Sequence, residues 1–191
     1  MLKPLGGALV DRLVHEGAGI VGALARRRVT LGFVFGALVL WFAQPTASTL
    51  AFGAAIGMAG EGLRVWAAGH LNKAREVTMS GPYRWIGHPL YVGSSIIGAG
   101  LAVASASIVV TTLIAVYLIA TLTAAIKSEE AFLRRTFGDR YDRYQRGDVT
   151  SAGPANFSFQ RAIGNHEHRA FVGFFLAVLL LILKATYNGA F

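Results

Sequence analysis

The chain has 191 residues, 54% of them hydrophobic and only 15% charged, with no cysteine and a formal net charge of +8. So few charges at this length exclude an ordinary soluble domain, and the missing cysteines exclude disulfides, thiolate metal sites and a cysteine nucleophile. The positive charge alone would suit nucleic acid, but among several long apolar runs it fits loops that face anionic lipid, so the expected partner is the bilayer and not nucleic acid.

The apolar runs predict an all-α, polytopic helical membrane protein, one membrane domain over residues 1–191 with about five transmembrane helices. Asp11, Arg12, His15 and Glu16 interrupt the first stretch, which excludes a secretory signal peptide. At 100° per residue these four share one arc, and Leu9, Leu13, Ile20, Val21 and Leu24 lie on the other side, so residues 5–25 are expected as an interfacial helix. Arg26-Arg27-Arg28 closes it and flanks the first candidate span, 29–44, which Gln44-Pro45 ends.

The second span, 48–69, contains Glu61 and Arg64, three residues apart and on one face. A charge at the centre of a span costs about 2.5–3.5 kcal/mol, so such residues pair or face a cavity. Two readings stand: a structural Glu61–Arg64 pair, or one wall of a polar site. Residues 70–87 form a polar loop carrying Lys73, Arg75 and Arg84, and the third span, 89–104, begins at Pro89. Pro89 suits a first helical turn and biases His88 away from helix, which sets His88 at a helix mouth among unpaired backbone N–H groups. Ala104-Ser105-Ala106-Ser107 leaves almost no loop before the fourth span, 107–126, so a tight antiparallel hairpin is expected, with Gly93, Gly98 and Gly100 offering it small surfaces.

From Lys127 the chain becomes abruptly charged, and residues 127–169 are expected as a cytoplasmic segment, helical after the fourth span. There Glu130 and Arg134 stand in the favourable i,i+4 order. His166-Glu167-His168 invites a metal site, but residues two apart do not share a helix face and no third ligand cluster is evident, so a polar juxtamembrane stretch is the expectation. The last span is 170–187. Lys and Arg cluster before the first span, between the second and third, and after the fourth, so these regions are expected on the cytoplasmic side.

Gly81-Pro82-Tyr83-Arg84 followed by His88-Pro89-Leu90-Tyr91-Val92-Gly93 resembles the Gly-Pro-Tyr-Arg…Arg-His-Pro-x-Tyr-x-Gly signature of the isoprenylcysteine carboxyl methyltransferases and their phospholipid N-methyltransferase relatives. A second block agrees in type and order: Glu129-Glu130-x-x-Leu133, then Phe137-Gly138-x-x-Tyr141-x-x-Tyr144. Arg64-Val65-Trp66 resembles the Arg-x-Trp of the carboxyl methyltransferases, and Gly98-Ala99-Gly100 a Gly-x-Gly of the phospholipid enzymes, although helix packing is the simpler reading of those glycines. The chain departs from the pattern at Gly87, where the family usually has Arg.

The resemblance implies S-adenosylmethionine as methyl donor, with Tyr83, His88, Pro89, Tyr91, Gly93, Glu129, Glu130 and Tyr141 around it. It also implies a lipid-borne or prenyl-like acceptor; the distribution of Lys and Arg sets both blocks at the cytoplasmic membrane face, and Arg64, Arg84, Glu130 and Arg134 are the candidate catalytic residues, the arginines to hold an anionic acceptor. A carboxylate is ionised near neutral pH and attacks without a base, whereas an amine must first lose a proton. With three arginines near the site and no dedicated base, O-methylation of a carboxylate is expected over N-methylation of a phospholipid. An NADPH-dependent reductase of the steroid 5-alpha type and a non-enzymatic scaffold are the other readings. The first lacks a phosphate-cradling glycine loop, and the second leaves the two motif blocks unexplained.

Overall fold

The computed structural model of the chain describes residues 28–72, 76–148 and 156–190. The expected interfacial helix at 5–25 lies outside the described residues. Helix α1, Arg28–Phe42, falls up to Trp41 in a first compact unit. The second unit, Phe42–Phe191, contains α2 (Ala47–His70), a short 3₁₀ helix (Gly81–Arg84), α3 (Pro89–Ser105), α4 (Ile108–Phe137), α5 (Asp139–Gln145), α6 (Phe159–Gly164) and α7 (Glu167–Tyr187). No strand occurs among the described residues.

By length and composition α4 and α7 are apolar enough to cross a membrane. Helix α2 is long enough, about 36 Å at 1.5 Å per residue, but carries Glu61 and Arg64, and α3 is apolar but has only 17 residues. The described residues are thus helical throughout their regular structure, and two of their helices meet the spanning criteria on their own.

Packing of α2 against α3 dominates the second unit, and small residues make it possible. A Cβ on Gly100 would lie 2.6 Å from Gly53 O and 2.6 Å from Gly57 N, and one on Gly93 would run into the Arg64 side chain. In lipid, where apolar burial gives helices little reason to associate, backbone approach of this kind supplies the van der Waals contact that holds them. Only Gly98 serves the expected hairpin, turning toward Ile114 and Leu118 of α4. Gly93 and Gly100 face α2 instead, a difference that follows from helical spacing: residues two and five positions from Gly98 point to other sides.

The hairpin itself is as short as its sequence requires. Ala106 takes a left-handed conformation (φ 48°), and Ser107 caps α4 by accepting from Val110 N. At the same end, Thr46 caps α2 with a reciprocal capping box to Thr49, and Gln44 N donates to Ser105 O at 2.8 Å.

At the opposite end α6 closes the carbonyl end of α2. Arg161 Nη1 donates to Gly69 O (3.1 Å), and Asn165 Nδ2 donates to Ala68 O (2.9 Å) and Leu71 O (3.0 Å). These side chains satisfy carbonyls that have no intrahelical partner. Helix α7 then packs back along α2, with Phe174 against Gly57 and Glu167 on Arg64.

Candidate functional site

The two motif blocks converge at the α6 end of the unit. Gly81 has φ 58°, and a Cβ there would lie 2.5 Å from the His70 ring, so this position both turns the chain and admits a close neighbour. The turn sends Tyr83 inward, where it is buried, and Arg84 and Trp85 outward. Trp85 is 73% exposed and lies 6.2 Å, centroid to centroid, from Trp66.

Between the blocks is a cavity of about 590 Å³. Asn72, Glu76 and Thr78 of the loop after α2 form one wall, with Tyr83 of the 3₁₀ helix and Gly87 beside them. Leu90 and Tyr91 come from the first turn of α3, and Ser128, Glu129, Phe132 and Leu133 from α4. Tyr141 and Tyr144 of α5 complete it. Helix α4 runs about 45 Å, and its charged last third brings Glu129 to this wall.

His88 stands behind the cavity as the residue before α3, with φ −133° and ψ 64°. Its Nε2 is 3.4 Å from Glu130 Oε1 and its Nδ1 3.8 Å from Glu129 Oε2. The interaction with Glu129 raises the imidazole above the ordinary histidine pKa; burial opposes this, and Glu130 adds to it. One imidazole ring thus bridges the adjacent carboxylates of α4.

Arg134 continues the network, 3.7 Å from Glu130, 3.5 Å from Asp142 and donating to Gln145 Oε1 at 3.1 Å. Gln145 Nε2 donates to the Tyr141 hydroxyl at 2.9 Å, and the Tyr144 hydroxyl donates to Tyr83 O at 2.7 Å. The Tyr144 bond ties the second block directly to the first. Burial first, and the charge of Glu129 second, push the Tyr83 phenol well above its usual range; burial, followed by Glu130, also raises Tyr141, and burial alone raises Tyr144. All three phenols are neutral donors at physiological pH.

Of the residues singled out from the sequence, Tyr83, Tyr91, Glu129 and Tyr141 line the cavity. His88 and Glu130 support its wall. Pro89 is the buried first residue of α3, and Gly93 sits at the α2–α3 crossing. Arg64 is not at the cavity surface: it pairs with Glu167 at 2.8 Å and donates to Ser94 Oγ and Leu90 O. Of the two readings of Glu61 and Arg64, the structural pair between them is therefore not formed. Glu61 is 2% exposed, and neither carboxyl oxygen has a hydrogen-bond partner among the described residues. Helix α7 outcompetes Glu61 because Glu167 meets the guanidinium side-on from another helix, its two oxygens accepting from Nε and Nη2.

Among the residues that the sequence reading did not assign to the site, the cavity's Tyr144 and Glu76 and the Arg64 partner Glu167 stand out. Tyr144 was visible in the second block. Glu76 was a lone carboxylate in a basic loop, and Glu167 a carboxylate at the edge of an apolar run, where an ionisable group asks for a partner.

A family model described as phospholipid methyltransferase matches residues 28–140, well over half of the chain, which therefore belongs to the phospholipid methyltransferase family. The protein is a membrane methyltransferase. Comparison with curated proteins and with solved structures gave no match. The matched region contains both carboxylates of the cavity; Tyr141, Tyr144 and the whole of α7 lie beyond it.

Proposed function

We propose that the protein transfers a methyl group from S-adenosylmethionine to the amine of a phospholipid headgroup, at a cavity facing the cytoplasmic membrane surface. The carrying observation is the charge of that cavity. Its described lining includes Glu76 and Glu129 and no Lys or Arg. The arginines that made a carboxylate acceptor attractive are otherwise engaged: Arg64 with Glu167, Arg134 with Glu130 and Asp142, while Arg84 points outward. A carboxylate acceptor would have to enter beside two like charges, whereas an ammonium headgroup is attracted by them.

The cavity also suits the donor. Its volume falls within the usual range for small-ligand sites, roughly 300–1,000 Å³. A carboxylate wall favours a ligand bearing a sulfonium and an amino group, and Tyr83, Tyr91 and Tyr141 offer faces and neutral hydroxyls for a purine. Glu129, fixed by His88, is the residue assigned to the donor's cationic end, and Phe132 and Leu133 to its apolar contacts. When bound, the donor supplies an electrophilic methyl that needs an aligned, dehydrated nucleophile and no metal ion. The chain's part is to orient and to exclude water, which the tyrosine-bolted walls do.

Incubating the purified protein with methyl-labelled donor and mixed phospholipids tests this. Label is expected in an organic-extractable, alkali-stable amine headgroup. Alkali-labile label released as methanol would instead support carboxyl O-methylation.

A further inference from the structure

Glu76 has no role in the motif blocks, yet it lines the cavity from a wall that neither block builds. The described residues on either side of it are anchored. Asn72 N donates to Thr78 Oγ1 at 3.2 Å, and Val77 and Met79, immediately beyond Glu76, are buried against Tyr141. One carboxyl oxygen, Oε1, accepts from Asn72 Nδ2. That donor is a neutral amide and no ion pair to Glu76 occurs among the described residues, whereas Glu129 shares His88 with Glu130.

The donor and an amine acceptor together bring more positive charge than Glu129 alone offsets. From this, and resting on the N-methylation reading above, we infer that Glu76 is a catalytic residue that binds the acceptor's ammonium and removes its proton. In that step an N–H bond breaks, the nitrogen keeps the electron pair, and the proton forms an O–H bond on the Glu76 carboxyl before passing to solvent. The nitrogen then has the lone pair that methyl transfer requires. The other ionisable groups facing Glu76 across the cavity are Tyr83, Tyr91, Glu129, Tyr141 and Tyr144. The phenols Tyr83, Tyr141 and Tyr144 are too weakly acidic to be ionised near neutrality, which leaves the two carboxylates as the available bases.

The experiment compares full-length wild type, Glu76→Gln and Glu76→Asp. Without cofactor, wild type is expected to bind short-chain phosphatidylethanolamine in preference to phosphatidylglycerol, measured by native mass spectrometry, and Glu76→Gln to lose that preference. In turnover at pH 7, Glu76→Gln is expected to lose about 100-fold or more, the ordinary worth of a general base. Its remaining rate should climb about tenfold per pH unit toward the amine's pKa near ~10, because solvent must now supply the neutral amine. Glu76→Asp should retain part of the rate, and all three should show the same thermal shift with S-adenosylmethionine. A near-wild-type rate for Glu76→Gln, or a loss independent of pH, overturns the assignment while leaving N-methylation standing. Label found only as an alkali-labile ester from wild type overturns both.

Discussion

The Glu61–Arg64–Glu167 cluster allows a prediction whose sign differs from one substitution to the next. Arg64 and Glu167 have side chains only 18% and 8% exposed, and Glu61 is 2% exposed with no hydrogen-bond partner among the described residues. Removing one member of a buried ion pair costs about 3–5 kcal/mol because the other charge is stranded. Glu167→Gln leaves Arg64 with Glu61 on its own helix face as a substitute, so the lower figure, about 3 kcal/mol, is expected. Arg64→Leu strands two carboxylates and also removes the donors to Ser94 Oγ and Leu90 O, so about 5 kcal/mol is expected. At about 2–4 °C per kcal/mol for a chain of this size, these correspond to melting temperatures lowered by roughly 6–12 °C and 10–20 °C. The Arg64→Leu/Glu167→Leu double variant removes the pair together and should recover most of the loss, and Glu61→Gln should be neutral or stabilising. Thermal unfolding in detergent measures these variants, with Glu167→Leu added as the second single variant of the double-mutant cycle. Simple additivity of the two single losses, or a large loss from Glu61→Gln, refutes the reasoning.

Further expectations concern the rest of the site and the helix packing. The pKa of His88 is raised in the folded protein by Glu129 and Glu130, so its stabilising effect is complete below the unfolded value near ~6.5 and is lost as pH rises through the folded value. The stability gap between wild type and His88→Gln, read by pH-dependent melting without cofactor, should therefore close on the alkaline side; a gap that widens there would contradict the His88–carboxylate geometry. Gly100→Ala forces a methyl into the α2 backbone and should cost about 1–3 kcal/mol, whereas Gly62→Ala, with open space around it, should leave the melting temperature unchanged or slightly raised. Arg84→Ala should leave activity little changed, since Arg84 is exposed beside Trp85 and away from the cavity lining; a severe loss would return it to the catalytic role that its motif position suggests.

How far the sequence carried depends on which physical signal each feature left in it. The α3–α4 hairpin was legible because apolar runs separated by four small residues admit only a tight reversal. The cavity's tyrosines and Glu129 were legible because they sit in ordered motif blocks with fixed spacing. The partner of Arg64 was not, because Glu61 on the same helix face is the only local candidate, while Glu167 is 103 positions away. Pairing across that distance depends on α7 folding back along α2, which periodicity does not encode. The roles of Gly93 and Gly100 were assigned to the wrong neighbour for the same reason: a small residue announces close approach but not which helix approaches. Glu76 was hidden by composition, a single acid among the basic residues of its loop, and became visible only once that loop was seen to wall the cavity.

The most direct test of the central claim is the chemical form of the methylated product. Purified wild-type protein in lipid vesicles that contain phosphatidylethanolamine, supplied with methyl-labelled S-adenosylmethionine, should place label on the extractable amine headgroup, stable to alkali, and Glu129→Gln should abolish both this transfer and the thermal shift with the donor. Transfer confined to an alkali-labile ester, or a thermal shift with NADPH and none with S-adenosylmethionine, would contradict the account.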